Sequence, residues 1–367
     1  MRLALLLLGI ATSAWAYGPE KPTSWYDAPM HGEPGGVQFG LRGELRFHYD
    51  RVFGVADPNW LTFVQAGAFA SAPLSKKVTV LAASGYDRNT KEIEVLRLGI
   101  DWKAGKQTHA QAGVFLLPLL QSNLDAIGPH EEFTERTFVA TELVGVPIGQ
   151  LGVGVRHGSY ELDLVTGYDG GLLTDAPDGT RLPAGRNTFA GYGGSGAAVA
   201  RVTFAGARGR RLGVAVLGGV YTPKDPEGVA YGGARPVALA TIDGARPMGG
   251  FLLTWEGGFA HADVPQGLEE LFAQDQWAGA VTVTKTLKAP LWKSWENSAL
   301  SGGVRLDGVD YDLGLAGDSR RRLSTTLDLR QQPFGILRWG WYYEVRYDRL
   351  GNPTPSAGVT LSAGTFL

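Results

Sequence analysis

Long segments of this chain alternate between apolar and polar residues. From Val37 to Asp50, one set of alternate residues is apolar or glycine, and the other set is polar except for Gly40. The segment from Leu337 to Asp348 repeats the pattern with tryptophan and tyrosine on the apolar set. A period of two is the period of a β-strand with one apolar and one polar face. This pattern, more than any other feature, limits what the chain can fold into.

Shorter alternating segments recur along the chain, and the last of them includes its final residues. They cover 96–103, 159–164, 212–220, 322–330 and 359–367, and the first of them places Leu96 on one face with Leu98, Ile100 and Trp102. Strands of ~9–11 residues, at roughly 22 residues per strand with its connection, predict about 16 strands, within a range of about 14–18. The sequence therefore predicts an all-β fold, a closed antiparallel transmembrane β-barrel.

A secreted soluble β-sandwich that binds a ligand is the alternative fold, because any half-buried antiparallel sheet alternates. The barrel is favoured because the polar faces carry dense mixed charge and the apolar faces are rich in Trp and Tyr, which form girdles at membrane interfaces. The number of strands also suits a closed barrel, which leaves no strand edge unpaired.

The first residues predict export. Arg2 precedes the apolar run Leu3–Ile10, and Ala14-Trp15-Ala16 places small residues where a signal peptidase cleaves. We expect a signal peptide over 1–16 with cleavage near Ala16, a short N-terminal segment over 17–34, and the barrel over 35–367. The expected location is the outer membrane of a Gram-negative-type bacterium, in contact with its lipid. No later run of ~18 apolar residues predicts a membrane-spanning helix.

Several kinds of chemistry find no support in the sequence. The chain has no cysteine, which excludes thiol chemistry and cysteine-ligated metal sites, and its net charge of −2 argues against nucleic-acid binding. We find no nucleophile elbow, zinc-protease helix or phosphate-binding loop, and the histidines do not stand at metal-ligand spacing. The sequence therefore predicts a protein that is not an enzyme and has no cofactor and no metal.

The polar faces of the strands are expected to line the lumen, since a barrel of this size is too wide for strand side chains to fill. The predicted pore-lining residues are Arg42, Glu44, Arg46, Arg97, Arg338, Glu344 and Arg346. Arginines slightly outnumber acids on these faces, which favours a weak preference for anions. The alternative is that these charges pair across strands only to satisfy one another.

One long connection, residues 118–142, follows the strand Thr108–Leu117. It contains the candidate pore-constriction residues Asp125, His130, Glu131, Glu132, Glu135 and Arg136. A segment of this length between strands is usually functional or disordered. Folded inward, it would place a mostly acidic ring at the narrowest point of a pore, where charge sets ion preference. Folded outward, it would be a surface loop.

Four short motifs lie within residues 107–170. They are Gly113-Val114-Phe115 with Pro118, then Phe133-Thr134-Glu135-Arg136, then Val146-Pro147-Ile148-Gly149, and Tyr160-Glu161-Leu162 ahead of Gly167-Tyr168-Asp169-Gly170. Together they resemble the phosphate-selective porin O/P family, in which Asn stands at the position of Asp169. The resemblance implies a 16-stranded, trimeric outer-membrane porin with Glu135 and Arg136 in the loop that narrows the pore.

The predicted function is that of an outer-membrane porin, a water-filled channel for passive diffusion of small hydrophilic solutes or ions. Its partners would be outer-membrane lipid, those solutes and two further copies of itself. The alternative is a barrel that forms a sheath around a redox protein or another partner and carries it through the membrane.

Overall fold

The computed structural model describes the chain from residue 38 to residue 366 in several ranges. These are 38–54, 59–87, 92–124, 135–144, 149–166, 196–222, 232–267, 273–288, 298–314, 317–331 and 335–366. The predicted signal peptide and the segment 17–34 lie outside the described residues.

Sixteen strands form one closed antiparallel barrel in which each strand pairs with its sequence neighbours and the first pairs with the last. The strands are β1 (Gln38–Val52), β2 (Asn59–Pro73), β3 (Val78–Asp87), β4 (Glu92–Lys103), β5 (Thr108–Leu116), β6 (Gly149–His157), β7 (Tyr160–Val165), β8 (Gly196–Ala205), β9 (Arg211–Tyr221), β10 (Arg235–Met248), β11 (Phe251–Ala262), β12 (Asp275–Lys288), β13 (Ser298–Asp310), β14 (Ser319–Gln331), β15 (Gly335–Tyr347) and β16 (Pro353–Phe366). The predicted fold class is confirmed, and the β-sandwich alternative is excluded because the sheet closes on itself.

The two ends of the barrel differ in the length of their connections. At one end the strands are joined by 74–77, 104–107, 158–159, 206–210, 249–250, 289–297 and 332–334. At the other end the connections include 117–148, 166–195 and 222–234. The turn between β10 and β11 consists of Gly249 (φ 54°) and Gly250 (φ 90°), because a two-residue hairpin turn of this kind needs positive φ. Short turns at one end and long loops at the other are typical of bacterial outer-membrane barrels.

The alternating sequence separates an apolar outer face from a polar inner face. On β15, Leu337 and Trp339 are about half exposed on the outside, whereas Arg338 and Glu344 are buried toward the inside. The same division holds on β7, where Leu162 and Leu164 face outward. The period of two that the sequence shows is therefore the period of the barrel wall.

Leu96 departs from its predicted position. The sequence places it on the outer face with Leu98, but in the structure it is 7% exposed and packs with Leu81 and Ala83. The register explains the difference, since Ala83 pairs with Arg97 and the next residue of β3 pairs with Val95. Leu96 is thus the extra residue of a β-bulge, which shifts the alternation by one position.

Three short helices interrupt the described connections. They are α1 (Gln121–Leu124), a π-helix (Val139–Val144) and a 3₁₀ turn (Ala207–Gly209). Within the described ranges, none of the helices is both long and apolar enough to cross a membrane. Two of the three belong to the long connection between β5 and β6, which supplies most of the site described next.

Candidate functional site inside the barrel

Two described parts of the connection between β5 and β6 lie against the inner wall of the barrel. We call residues 117–144 the inserted segment; the structure describes its two parts, 117–124 and 135–144. Leu119 and Leu120 from the first part and Val139 from the second are fully buried. They share one apolar cluster with inward residues of the wall, among them Val199 and Ala260. Both described parts are therefore held inside the barrel by apolar packing.

The first part is anchored by Arg201 of β8. Its guanidinium donates to the main-chain oxygens of Pro118 (3.3 Å) and Leu119 (3.2 Å) and pairs with Asp243 of β10 at 2.7 Å. The hydroxyl of Thr241 donates to the same Leu119 oxygen. The side chains of Arg201 and Asp243 are 2% and 1% exposed, so this is a buried ion pair that also satisfies the backbone of the inserted segment.

The second part is anchored by two arginines on neighbouring strands. Arg305 of β13 donates to the main-chain oxygens of Glu135 (2.8 Å) and Arg136 (3.1 Å). Arg322 of β14 donates to the Arg136 oxygen at 2.9 Å and to the Glu135 carboxylate at 2.5 Å. Asp307, which pairs with Arg305 at 2.7 Å, accepts from a backbone amide of the segment. Main-chain groups that would otherwise be unpaired are thereby satisfied by charged groups of the wall.

Phe138 adds a cation–π contact to this second anchor. The guanidinium carbons of Arg320 and Arg322 lie 4.7 and 4.2 Å from the centre of its ring. Arg320 also pairs with Glu142 of the π-helix at 3.1 Å and with Glu344 of β15 at 2.8 Å. The second part is thus attached through backbone, carboxylate and aromatic contacts to three arginines of β13 and β14, Arg305, Arg320 and Arg322.

Glu135 lies where the inserted segment meets β1. One carboxylate oxygen accepts from Arg322, and the other lies 3.4 Å from Nδ1 of His48. Burial alone would raise the pKa of Glu135, but the positive charges of Arg322, His48 and Arg305 outweigh burial and hold that pKa below its usual value. Glu135 therefore stays ionised at neutral pH.

His48 was not among the predicted site residues. Its Nδ1 lies 3.1 Å from the hydroxyl of Thr360 and its Nε2 lies 3.1 Å from the hydroxyl of Tyr342, which donates to Asp50 at 2.8 Å. The alternation of β1 does place His48 on the same face as Arg46, so its inward direction could have been read from the sequence. The contact with Glu135 could not, because it joins residues far apart in the chain.

Six of the seven predicted pore-lining residues lie on the inner wall, and four of them are in ion pairs. Arg46 pairs with Glu44 at 3.0 Å, and Arg338 lies 3.9 Å from Glu44 and 3.7 Å from Asp328. Glu344 pairs with Arg320, Arg97 is buried, and Arg346 is half-buried. The side chain of Arg42 lies outside what the structure describes. The pairing that the sequence left open as an alternative is thus present for several of these charges.

The predicted constriction residues fall into two groups. Glu135 and Arg136 lie in the second part of the inserted segment and contact the wall as described above. Asp125, His130, Glu131 and Glu132 lie outside the described residues. Over the ranges that the structure covers, no three His, Asp or Glu side chains converge as metal ligands would.

Comparison with known proteins gives structural but not sequence neighbours. No protein-family model matches the chain, and no curated protein matches it significantly. Solved structures do match: the outer-membrane channel DcaP of Acinetobacter baumannii has a TM-score of 0.59 at 11% identity, over 92% of this chain and 99% of that one.

Two further matches have similar extents. An anion-selective porin from Comamonas acidovorans has a TM-score of 0.59 at 8% identity, over 90% of this chain and 99% of that one. The outer-membrane protein OmpT of Vibrio cholerae, in its trimer form, has a TM-score of 0.52 at 10% identity, over 90% and 100%. At such low identities the likeness concerns the fold. Over about nine tenths of its length the chain therefore has a fold similar to that of these three outer-membrane proteins.

Proposed function

We propose that this protein is an outer-membrane porin, a channel through which small hydrophilic solutes or ions diffuse passively, and that it is not an enzyme. The observation that carries the proposal is the division of one closed barrel into an apolar outer face and a charged inner face. An apolar band facing outward suits lipid, and a polar interior suits water. The inserted segment occupies interior space that a protein partner would need, which argues against the sheath alternative.

The inserted segment is proposed as the constriction of the channel. Its described parts pack on the wall from β7 to β14, Leu124 packs on the apolar cluster of β2 to β5, and Glu135 lies beside His48 of β1. Contacts with so many strands support a segment that narrows the lumen, and Glu135 and Arg136 are proposed to lie at the narrow part. Asp125, His130, Glu131 and Glu132 belong to the same segment and are proposed to contribute to the constriction with them.

A weak preference for anions is proposed from the exposure of the wall charges. Within several ion pairs the arginine is more exposed than its acid: Arg46 is 16% exposed against 4% for Glu44, and Arg330 is 21% exposed against 0% for Asp328. Arg320 and Glu344 show the same order. The wall thus presents guanidinium groups to the lumen with the carboxylates behind them, and a ring of exposed positive charge favours anions.

We also propose a family, an oligomeric state and a route of export for this protein. The resemblance of residues 107–170 to the phosphate-selective porin O/P family supports membership of that family. The same resemblance, together with the trimer form of the Vibrio cholerae protein, supports a homotrimer. The residues 1–16 support export by a signal peptide cleaved near Ala16, followed by insertion into the outer membrane in contact with its lipid.

The test is single-channel recording of the purified protein in a planar bilayer, with reversal potentials under a KCl gradient. We expect large, stable conductance steps and a slight preference for chloride. Arg46→Gln should shift the preference toward potassium, whereas Lys285→Gln should not, since Lys285 lies on the outer face over the ring of Phe251. Correctly folded, heat-modifiable protein that conducts no current would refute the proposal.

A further inference from the structure

His48 occupies a position at which one proton changes the charge beside the inserted segment. Its side chain is 12% exposed, and its ring lies 5.6 Å from the ring of Tyr342 in a stacked arrangement. Both ring nitrogens have polar neighbours, Nε2 the hydroxyl of Tyr342 and Nδ1 the hydroxyl of Thr360. Nδ1 also faces a carboxylate oxygen of Glu135 at 3.4 Å.

The direction of these hydrogen bonds follows from Tyr342. Because its hydroxyl donates its one proton to Asp50, its oxygen is an acceptor toward His48, and Nε2 of His48 carries the hydrogen. In the neutral ring Nδ1 is then an acceptor, which the hydroxyl of Thr360 can satisfy. The carboxylate of Glu135 therefore faces a nitrogen lone pair when His48 is neutral. Protonation turns that lone pair into an N–H donor without moving either residue.

Charged groups of both signs act on Glu135 and Tyr342, the two titratable neighbours of the imidazole. Arg46 of β1, Arg305 of β13 and Arg322 of β14 act on Glu135, and Asp50 of β1 and Glu344 of β15 act on Tyr342. Arg322 already pairs with Glu135, so the carboxylate is partly neutralised before His48 takes up a proton. Protonation of His48 then adds a positive charge beside a pair that is close to neutral.

We propose that His48 is a selectivity-determining residue whose protonation makes the channel more anion-selective as the pH falls. The proposal rests on the proposed porin function. Histidine is the side chain whose ordinary charge change falls between pH 5 and 8. The exposed arginines of the wall favour anions weakly, and the negative charge of Glu135 opposes that preference. The Glu135 side chain is 25% exposed, which is more than the 7% of its partner Arg322. A charged His48 would cancel that opposition and hold Glu135 against β1.

The size of the effect follows from Coulomb's law. A unit charge about 6 Å from a passing ion in water changes the local concentration of that ion by about threefold. The change decreases with ionic strength, because salt screens charges over a Debye length of about 10 Å at 0.1 M. Because the same charge attracts chloride and repels potassium, we expect the chloride-to-potassium permeability ratio to rise by up to about ninefold between about pH 8 and about pH 5 at low salt.

The experiment compares reversal potentials of four forms of the full-length mature protein in planar bilayers. They are the wild type, His48→Gln, Glu135→Gln and the matched control His261→Gln. His261 also pairs with an aspartate, Asp275 at 2.8 Å, but it shares the outer face with Phe259 and does not line the lumen. All four forms should conduct, so loss of conduction in the wild type would refute the porin function itself.

The four forms differ in the expected pH dependence. The wild type and His261→Gln should show the same rise in anion preference on acidification, and His48→Gln should lose most of it. Glu135→Gln should prefer anions more strongly at neutral pH, because the carboxylate that opposes the exposed arginines of the wall is gone. A full pH response in His48→Gln, or no response in a wild type that conducts, would overturn the assignment of His48 and leave the porin function standing.

Discussion

Replacement of Arg201 by methionine tests how the inserted segment is held inside the barrel. Methionine keeps an unbranched apolar stem but lacks the guanidinium, so the variant loses the ion pair to Asp243 at 2.7 Å and the two bonds to the carbonyls of Pro118 and Leu119. Nothing on the outer face of the barrel changes. The substitution Arg201→Met therefore acts on the first anchor of the segment while the strand pairing of β8 is retained.

The cost follows from the burial of the pair. Removing one partner of a buried ion pair costs about 3–5 kcal/mol, because the remaining charge stays in a poorly solvated place. Arg211, 3.5 Å from Asp243, compensates part of that charge. We therefore expect the free energy of unfolding to fall by about 3 kcal/mol, the lower end of that range.

Urea unfolding of the protein in lipid vesicles, followed by tryptophan fluorescence, measures this loss. Arg235→Met is the matched control, since Arg235 pairs with Asp263 at 3.0 Å but the two side chains are 27% and 44% exposed. An exposed pair contributes about 0–1 kcal/mol. We also expect Arg201→Met channels to show larger current noise, because the first part of the inserted segment has lost its polar anchor.

The comparison of the two variants tests whether the pair of Arg201 and Asp243 anchors the inserted segment. If Arg201→Met costs no more than Arg235→Met, the buried pair does not hold the inserted segment and its attachment is apolar. If the stability falls as expected while the current noise stays at the wild-type level, the pair stabilises the wall alone. Only a joint change in both measurements supports its role as an anchor.

Two further predictions follow from the wall and from Glu135. An added Cβ at Gly244 would lie 2.1 Å from the ring of Trp255 on β11, so Gly244→Ala should lower the free energy of unfolding by about 1–3 kcal/mol in the same assay. Gly218 has open space around an added Cβ, so the control Gly218→Ala should change that free energy by less than about 0.5 kcal/mol. The pKa of the Glu135 carboxyl is lower in the folded protein than in the unfolded chain. Its pairing with Arg322 therefore stabilises the fold fully above the pKa that Glu135 has when unfolded, and this contribution is lost as the pH falls through the pKa that Glu135 has when folded. The current noise of the wild type should therefore rise in strongly acidic solution. The noise of Glu135→Gln should not change over the same pH range, because its side chain cannot take up a proton there. Equal noise of the wild type at neutral and at strongly acidic pH would contradict the pairing.

Most of the barrel wall was predictable because its pattern is local. Successive side chains of a strand point to opposite faces, so the alternation around Trp339 fixes which residues meet lipid and which face the lumen. Leu96 shows the limit of this reasoning, since one extra residue in β4 reverses the faces and nothing in the local pattern marks the bulge.

The inserted segment shows what the sequence could not decide. Its length and charges marked it as a functional connection, yet an inward and an outward position agreed equally well with the sequence. The inward position depends on contacts with Arg201, Arg305 and Arg322, which belong to strands far along the chain. The contacts with Arg305 and Arg322 form only when the barrel closes, because closure brings β13 and β14 opposite β5.

The sequence by itself determined the all-β fold, the approximate strand number and the direction of most side chains, because each depends on a period of two within single strands. The tertiary structure alone decided which charges pair, which partner of a pair is more exposed, and that His48 of β1 meets Glu135 of the inserted segment. These depend on strand register and on the path of the inserted segment, and both are set by packing between residues that are distant in sequence.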